Sequence, residues 1–226
     1  MILTCNQLFT ATENPKINSI TLDLLREYYE THLHGFSYQY QITDDAGHQQ
    51  TLELRFEKEN FCHLLGIETI LTKSINRRDI PQYKGQLGWD NIQNGTLDFA
   101  FLKNKNVKGF KNNKSKFVFF YLIPRVAESP KGVSFDQTKV KTKVECEMLF
   151  YDNIQNAYVH FGIEKNMEKG FYVPKTFLVE KITKTNTGIK YIENQQQITV
   201  NKTNTETQQN LTINETDAEN QKKPTK

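Results

Sequence analysis

Cysteine is scarce in this chain. Cys5, Cys62 and Cys146 are the only three, too few and too scattered for a disulfide framework or a metal cluster, so reduced, partly buried thiols are expected. Long apolar runs are missing as well. No stretch approaches the roughly 18 apolar residues of a membrane span, and the opening Met-Ile-Leu-Thr-Cys-Asn-Gln lacks the basic start and apolar core of a signal peptide. The expectation is a soluble, cytoplasmic protein with no membrane partner. Catalytic signatures are equally thin: there is no Gly-rich phosphate loop, no His-Glu-X-X-His, no Cys-X-X-Cys and no Gly-X-Ser-X-Gly, so nucleotide, zinc and serine-hydrolase readings have no motif behind them. No metal and no cofactor is expected. A net charge of +3 and a pI near 8.6 say little about partners on their own.

What is present starts with size: 226 residues allow one domain with a real core, with or without a tail. Hydrophobic residues reach only 37% but aromatics 12%, which points to an aromatic-rich core and a polar excess placed elsewhere. Much of that excess is C-terminal. Residues 201–226 offer only Leu211, Ile213 and Ala218 as apolar side chains, which predicts a disordered tail after a single domain at 1–200. Lysines crowd one segment (Lys103, Lys105, Lys108, Lys111, Lys114, Lys116) and alternate in another (Lys139, Lys141, Lys143). Such clusters suit a polyanion partner and equally a solvated lysine-rich surface.

The chain opens with a helical pattern over Pro15–His34, capped by Asn18 or Ser19, with Ile20, Leu24, Leu25 and Tyr28 or Tyr29 on one face and His32 and His34 as solvated residues at its end. Phe36–Ile42 and Thr51–Phe56 alternate around Asp44-Asp45-Ala46-Gly47, the pattern of a β-hairpin with His48 at its tip. Trp89–Asn94 reads as a short helix ended by Gly95. The run Phe117–Ile123 is too uniformly apolar for periodicity to separate strand from helix; its Lys-rich approach and the following Glu128-Ser-Pro130 lean towards helix. The last third reads as strands at Val144–Leu149, Ala157–Ile163, Tyr172–Ile182 and Ile189–Val200. Helices and strands segregated in this way predict an α+β fold: N-terminal helix and hairpin with short helices packed on a mainly antiparallel four- to five-stranded sheet.

The stretch that organises the chemistry is Arg55-Phe-Glu-Lys-Glu-Asn-Phe-Cys-His63-Leu-Leu-Gly66-Ile-Glu68. A strand pattern gives way to Phe61, Leu64 and Leu65 at helical spacing, Asn60 is placed to cap the turn, and Gly66 stands where a positive φ would end it. His63 is therefore held rigidly on a short helix straight after a strand. Scattered His, Lys, Arg, Thr and Tyr suffice for one class of reaction that needs no metal. In RNA cleavage a base deprotonates the 2′-hydroxyl, a cation holds the charge developing on phosphorus, and an acid protonates the departing 5′-oxygen.

Three segments together, Leu54–Ile67, Gly88-Trp89-Asp-Asn-Ile92-Gln-Asn-Gly95 and Phe171-Tyr-Val-Pro174-Lys-Thr176-Phe-Leu-Val-Glu-Lys181, resemble the phage- and mobile-element-associated nucleases of the barnase, EndoU, colicin and RelE-like superfamily. The resemblance spans roughly residues 20 to 200. It implies an N-terminal helical part on a four-stranded antiparallel sheet and RNA cleavage by acid-base chemistry; the resulting expectation is a metal-independent endoribonuclease, as a toxin or mobile-element defence factor, with RNA as substrate and an antitoxin or immunity protein as partner. His63 matches the histidine of the family's His-Leu-Leu-Gly segment and Thr176 the threonine of its Pro-X-Thr-Phe strand. The family's second histidine falls near Glu68, where this chain has a carboxylate that can serve as a base.

The candidate set is therefore His63, Glu68 and Thr176 for catalysis and Lys58, Lys73, Lys175 and Lys181 for substrate binding, with His160 as a further candidate. Each has a bland counterpart. A histidine between Cys62 and Leu64 can be a core residue, Thr176 a plain strand former, and the lysines a solvated surface. Lys175 and Thr176, as neighbours in a strand, face opposite sides and compete for the site unless a bulge intervenes. The alternative function is a non-catalytic protein of the same fold that binds nucleic acid or a partner; a structural phage protein is a third.

Overall fold

The computed structural model describes residues 1–207, and the remainder of the tail expected to be disordered lies outside that range. Eight α-helices and seven strands are found among the described residues: α1 (Cys5–Phe9), α2 (Leu22–His32), β1 (Phe36–Thr43), β2 (Gln49–Arg55), α3 (Lys58–Leu64), α4 (Ile67–Leu71), α5 (Gly85–Gln93), α6 (Phe99–Lys105), α7 (Val107–Phe119), α8 (Ile123–Glu128), β3 (Lys131–Ser134), β4 (Met148–Ile154), β5 (Ala157–Lys165), β6 (Tyr172–Lys181) and β7 (Gln196–Thr207).

Local chemistry explains where several of these begin. Thr21, not Asn18 or Ser19, caps α2: its hydroxyl accepts from the Leu24 amide at 3.0 Å, while the Ser19 hydroxyl is turned back onto the Lys16 carbonyl at 2.7 Å. The helix is thus shorter than its periodicity predicts, and Ile17–Ser19 forms a separate 3-10 turn. His32 and His34 are half-buried: His32 stacks on Phe9 with centroids 4.2 Å apart, and His34 Nδ1 lies 2.9 Å from the Phe56 carbonyl oxygen. The hairpin forms as expected, with Tyr40 opposite Leu52 and a loop in which Asp44 accepts from the His48 amide. The apolar run at 117–123 is helical, continuing from α7 through a 3-10 turn into α8.

The sheet corrects the expected architecture. In place of an open four- to five-stranded sheet, the seven strands close into a barrel in the order β1-β2-β6-β5-β4-β3-β7. All ladders are antiparallel except β2 on β6, a single parallel bridge between Leu54 and Tyr172. Two features hid this from the sequence. The ladder that makes β1 and β7 neighbours joins segments near opposite ends of the described chain (Ile42 with Val200), and such long-range pairing leaves no local pattern. β3 is only four residues long and follows Pro130. β7 continues past residue 200, where Lys202 and Thr207 still pair with Tyr40 and Phe36, and β4 starts at Met148 rather than Val144.

Alternation divides the barrel wall. Tyr40, Phe150, Phe161 and Phe177 point inward and join one apolar cluster with α2, α3 and the 117–128 helices. Rings meet edge-on across it, Tyr40 to Phe150 at 5.3 Å and Phe120 to Phe177 at 5.8 Å. Its buried hydroxyls are satisfied: Tyr28 donates to the Tyr121 carbonyl and Tyr40 to that of Ala127. On the outer face, Val133, Leu149 and Tyr151 form a second, smaller cluster under Phe135, Val140, Tyr191 and Ile192 from the overlying loops. No helix among the described residues is long and apolar enough to cross a membrane.

Candidate active site

The strand β6 sets the floor of the site. Opposite β5 its register slips by one: Gly162 pairs with Thr176 and Ile163 with Pro174, leaving Lys175 with no counterpart. This is a β-bulge, placed where Pro174, lacking an N–H, could not complete a regular ladder. The consequence is that Lys175 and Thr176, neighbours that ordinary alternation would send to opposite faces, line the same depression.

His63 overhangs that floor from α3. The helix starts in a reciprocal cap: Glu57 is its N-cap and accepts from the Asn60 backbone, while Asn60 Oδ1 accepts from the Glu57 amide at 3.2 Å. Asn60 is therefore the third helical residue rather than the cap itself. Phe61, Cys62, Leu64 and Leu65 are fully buried and anchor the helix, which leaves His63 as the exposed residue between them. Gly66 follows with φ +70°, the left-handed conformation expected of it.

Gly66 has a second role. A Cβ at that position would lie 2.5 Å from Asn113 Oδ1 and 3.5 Å from Lys116 Nζ, so its bare Cα leaves room for the side chains with which α7 approaches. The same approach is fixed from the other end by Asn106, whose side chain caps α7 at the Gly109 amide and donates to the Ile70 carbonyl at the end of α4. Lys116 is thereby brought into the depression beside His63. The far wall is the segment Thr142–Glu145. It can lie against the barrel because Gly162 has no side chain; a Cβ there would be 2.6 Å from Cys146 Sγ. The result is an open pocket of about 320 Å³ in which His63, Thr69, Lys116, Lys143, Lys175 and Thr176 converge.

The electrostatics of this pocket favour a neutral imidazole. Crowding by protein lowers the His63 pKa most, and the Lys116 and Lys175 ammonium groups lower it further; the Glu68 carboxylate and the Lys175 main chain act in the opposite sense. Lys116, withdrawn from water, has its pKa brought down to about 8. Lys175 is partly neutralised by Glu164, 2.6 Å away.

Other sequence candidates go elsewhere. Glu68 is half-buried in the first turn of α4 and reaches His63 through its field. Lys58 is paired with Glu30 at 2.9 Å and sits over Trp89, Lys73 is exposed after α4, and Lys181 is at the far end of β6 over Phe119; none lines the pocket. His160 is fully buried one strand away, packed among Tyr151, Tyr158 and Tyr191. Sequence reasoning missed Thr69, Lys143 and the place of Lys116 beside His63, since Lys116 stood out there only as one of a lysine cluster. The usable signal for Lys116 was its position at the junction of the Lys-rich and apolar halves of α7, one residue before fully buried Phe117.

Comparison with known proteins bears on this pocket. A family model described as phage-Barnase-EndoU-ColicinE5/D-RelE like nuclease4 matches residues 27–220, a span that contains every pocket residue named above. No curated protein and no solved structure matches.

Proposed function

Taking as premise that the chain belongs to the phage-Barnase-EndoU-ColicinE5/D-RelE like nuclease4 family, and so to proteins that act on nucleic acids, we propose that it is a metal-independent endoribonuclease in which His63 is the general base. The observation that carries this reading is the convergence of His63, Lys116, Lys175 and Thr176 on one open pocket. A neutral imidazole at physiological pH can take the proton of a ribose 2′-hydroxyl, whose oxygen then attacks the adjacent phosphorus. The Glu68 carboxylate favours the imidazolium that results, since its field raises the His63 pKa.

The remaining groups divide the phosphoryl work. Lys175 and the Thr176 hydroxyl donate to the non-bridging oxygens as negative charge builds on them. Lys116, an ammonium whose pKa is near 8, is acidic enough to protonate the 5′-oxygen as the P–O5′ bond breaks, leaving a 2′,3′-cyclic phosphate and a free 5′-hydroxyl. In that scheme the rate rises with pH through the lowered His63 pKa and falls again above about 8 as Lys116 loses its proton. A toxin or mobile-element defence role, with an antitoxin or immunity protein as partner, fits such an activity.

The test is purified protein on total RNA in EDTA. Cleavage that disappears in His63→Ala is expected. Intact RNA with the wild-type chain, or unchanged cleavage by the variant, overturns the reading; salt-sensitive RNA binding without cleavage would instead support the non-catalytic alternative.

A further inference from the structure

The lysine-rich segment around α7 does not act as one patch. Lys116 turns into the His63 pocket, and Lys103 and Lys105 lie over Phe110 and Phe101. Lys111 and Lys114 turn the other way, into a neighbouring depression of about 530 Å³ where Lys16 and Lys181 join them. Three separate parts of the chain thus supply four ammonium groups: the loop before α2, the exposed face of α7 and the end of β6. Among the described residues, no acidic side chain lines this basin and none of the four lysines has a carboxylate within ion-pair distance. Lys58, Lys131, Lys169, Lys175 and Lys202, by contrast, each have a carboxylate partner. Four unneutralised cations around one concavity repel one another, and an anion relieves that repulsion.

The basin and the pocket share two elements, α7 and β6, and use opposite sides of each. Ser115 and Val118 of α7 line the basin and Lys116 the pocket; Lys181 ends the strand whose Thr176 and Leu178 floor the pocket. Lys181 stands five residues beyond Thr176, about 17 Å of extended chain. A single nucleotide does not bridge that distance, and Lys181, an odd number of residues from Thr176, leaves the opposite face of β6, so only a strand of several nucleotides that bends around this element reaches both.

We propose that the Lys16–Lys111–Lys114–Lys181 basin is a second phosphate-binding site, which holds the backbone of a single-stranded RNA several nucleotides away from the bond cut at His63. This rests on the nuclease reading for the direction of the strand, but the binding itself is testable without cleavage. It makes the enzyme one for extended strands: short substrates fill the pocket alone, and longer ones reach the basin as well. The basin reads no base, because ammonium groups meet phosphates and not base edges.

The experiment compares wild-type chain with Lys111→Gln/Lys114→Gln and with Lys16→Gln/Lys181→Gln. Binding is read by anisotropy with a labelled, 2′-O-methylated single-stranded oligonucleotide, which cannot react through its 2′-oxygen. Each double variant is expected to bind on the order of tenfold more weakly, with the slope of log affinity against log salt shallower by about 0.7 for each phosphate no longer neutralised. Turnover is read in parallel on unmodified oligonucleotide and on a dinucleoside monophosphate; kcat/KM should fall for the first and stay unchanged for the second. Unaltered affinity and salt slope would overturn the proposal, as would an equal loss towards polyglutamate, which would mark an undiscriminating cationic surface. If no RNA is cut but the binding shifts appear, the basin stands and the nuclease reading falls.

Discussion

Two histidines sit against the outer face of the same barrel with opposite fates. His63 hangs over β6 in the company of ammonium and hydroxyl groups and is open to solvent. His160, on β5, is sealed in a box of three tyrosines, and among the described residues neither ring nitrogen has a partner of good hydrogen-bond geometry. Burial lowers the pKa of both, His160 to about 4 with only slight relief from the Leu178 main chain. A displaced pKa therefore does not single out a functional group by itself. Solvent access and the ammonium and hydroxyl groups around His63 distinguish the two, and on the nuclease reading these are what a phosphate needs.

Substitutions can break or sharpen this contrast. His63→Ala should lower kcat by about a thousandfold, the middle of the range for a general base, while thermal stability stays near wild type because the side chain is exposed; a parallel loss of Tm would undo the comparison. His160 should show its effect in stability. It binds a proton less readily folded than unfolded, so stability is lost as pH falls from 6.5 towards 4, by about 3 kcal/mol in all. Denaturant titrations across that window should register the loss, and His160→Leu should flatten it while leaving RNA cleavage at neutral pH intact.

Lys116→Met comes next, with about a hundredfold lower kcat and no fall in rate above pH 8 beyond what remains from other groups; Lys116→Arg should move the alkaline limb upward instead. Thr176→Val, which keeps shape and removes the hydroxyl, should cost about tenfold, comparable to the removal of one hydrogen bond. Smallest of all is Lys58→Gln, a cation bound to Glu30 and remote from the pocket. Its surface pair contributes no more than about 1 kcal/mol, and cleavage should not change.

What the sequence made legible was local. The hairpin, the short helix carrying His63 and the positive φ of Gly66 follow from alternation, spacing and glycine chemistry within a few residues. Barrel closure did not, because β1 meets β7 and β2 meets β6 across long stretches of chain whose pairing is decided by packing. The company of His63 was half visible. Thr176 and Lys175 were placed on one strand, but only the slip opposite Gly162 resolves which face they share. Lys116 arrived from a helix that the Asn106 side chain ties to α4, a relation between distant residues with no trace in either segment.

That slip in β6 sets a contest between architecture and work. Remove Lys175 altogether and Pro174 and Thr176 become consecutive partners of Ile163 and Gly162, with Phe177 still opposite Phe161. The shortened strand would keep the register with β5 on both sides of Pro174, whose missing N–H remains, so the deletion should fold and, on the nuclease reading, cleave far less. Lys175 is the residue that the ladder leaves without a counterpart, and its side chain is what the slip turns into the pocket.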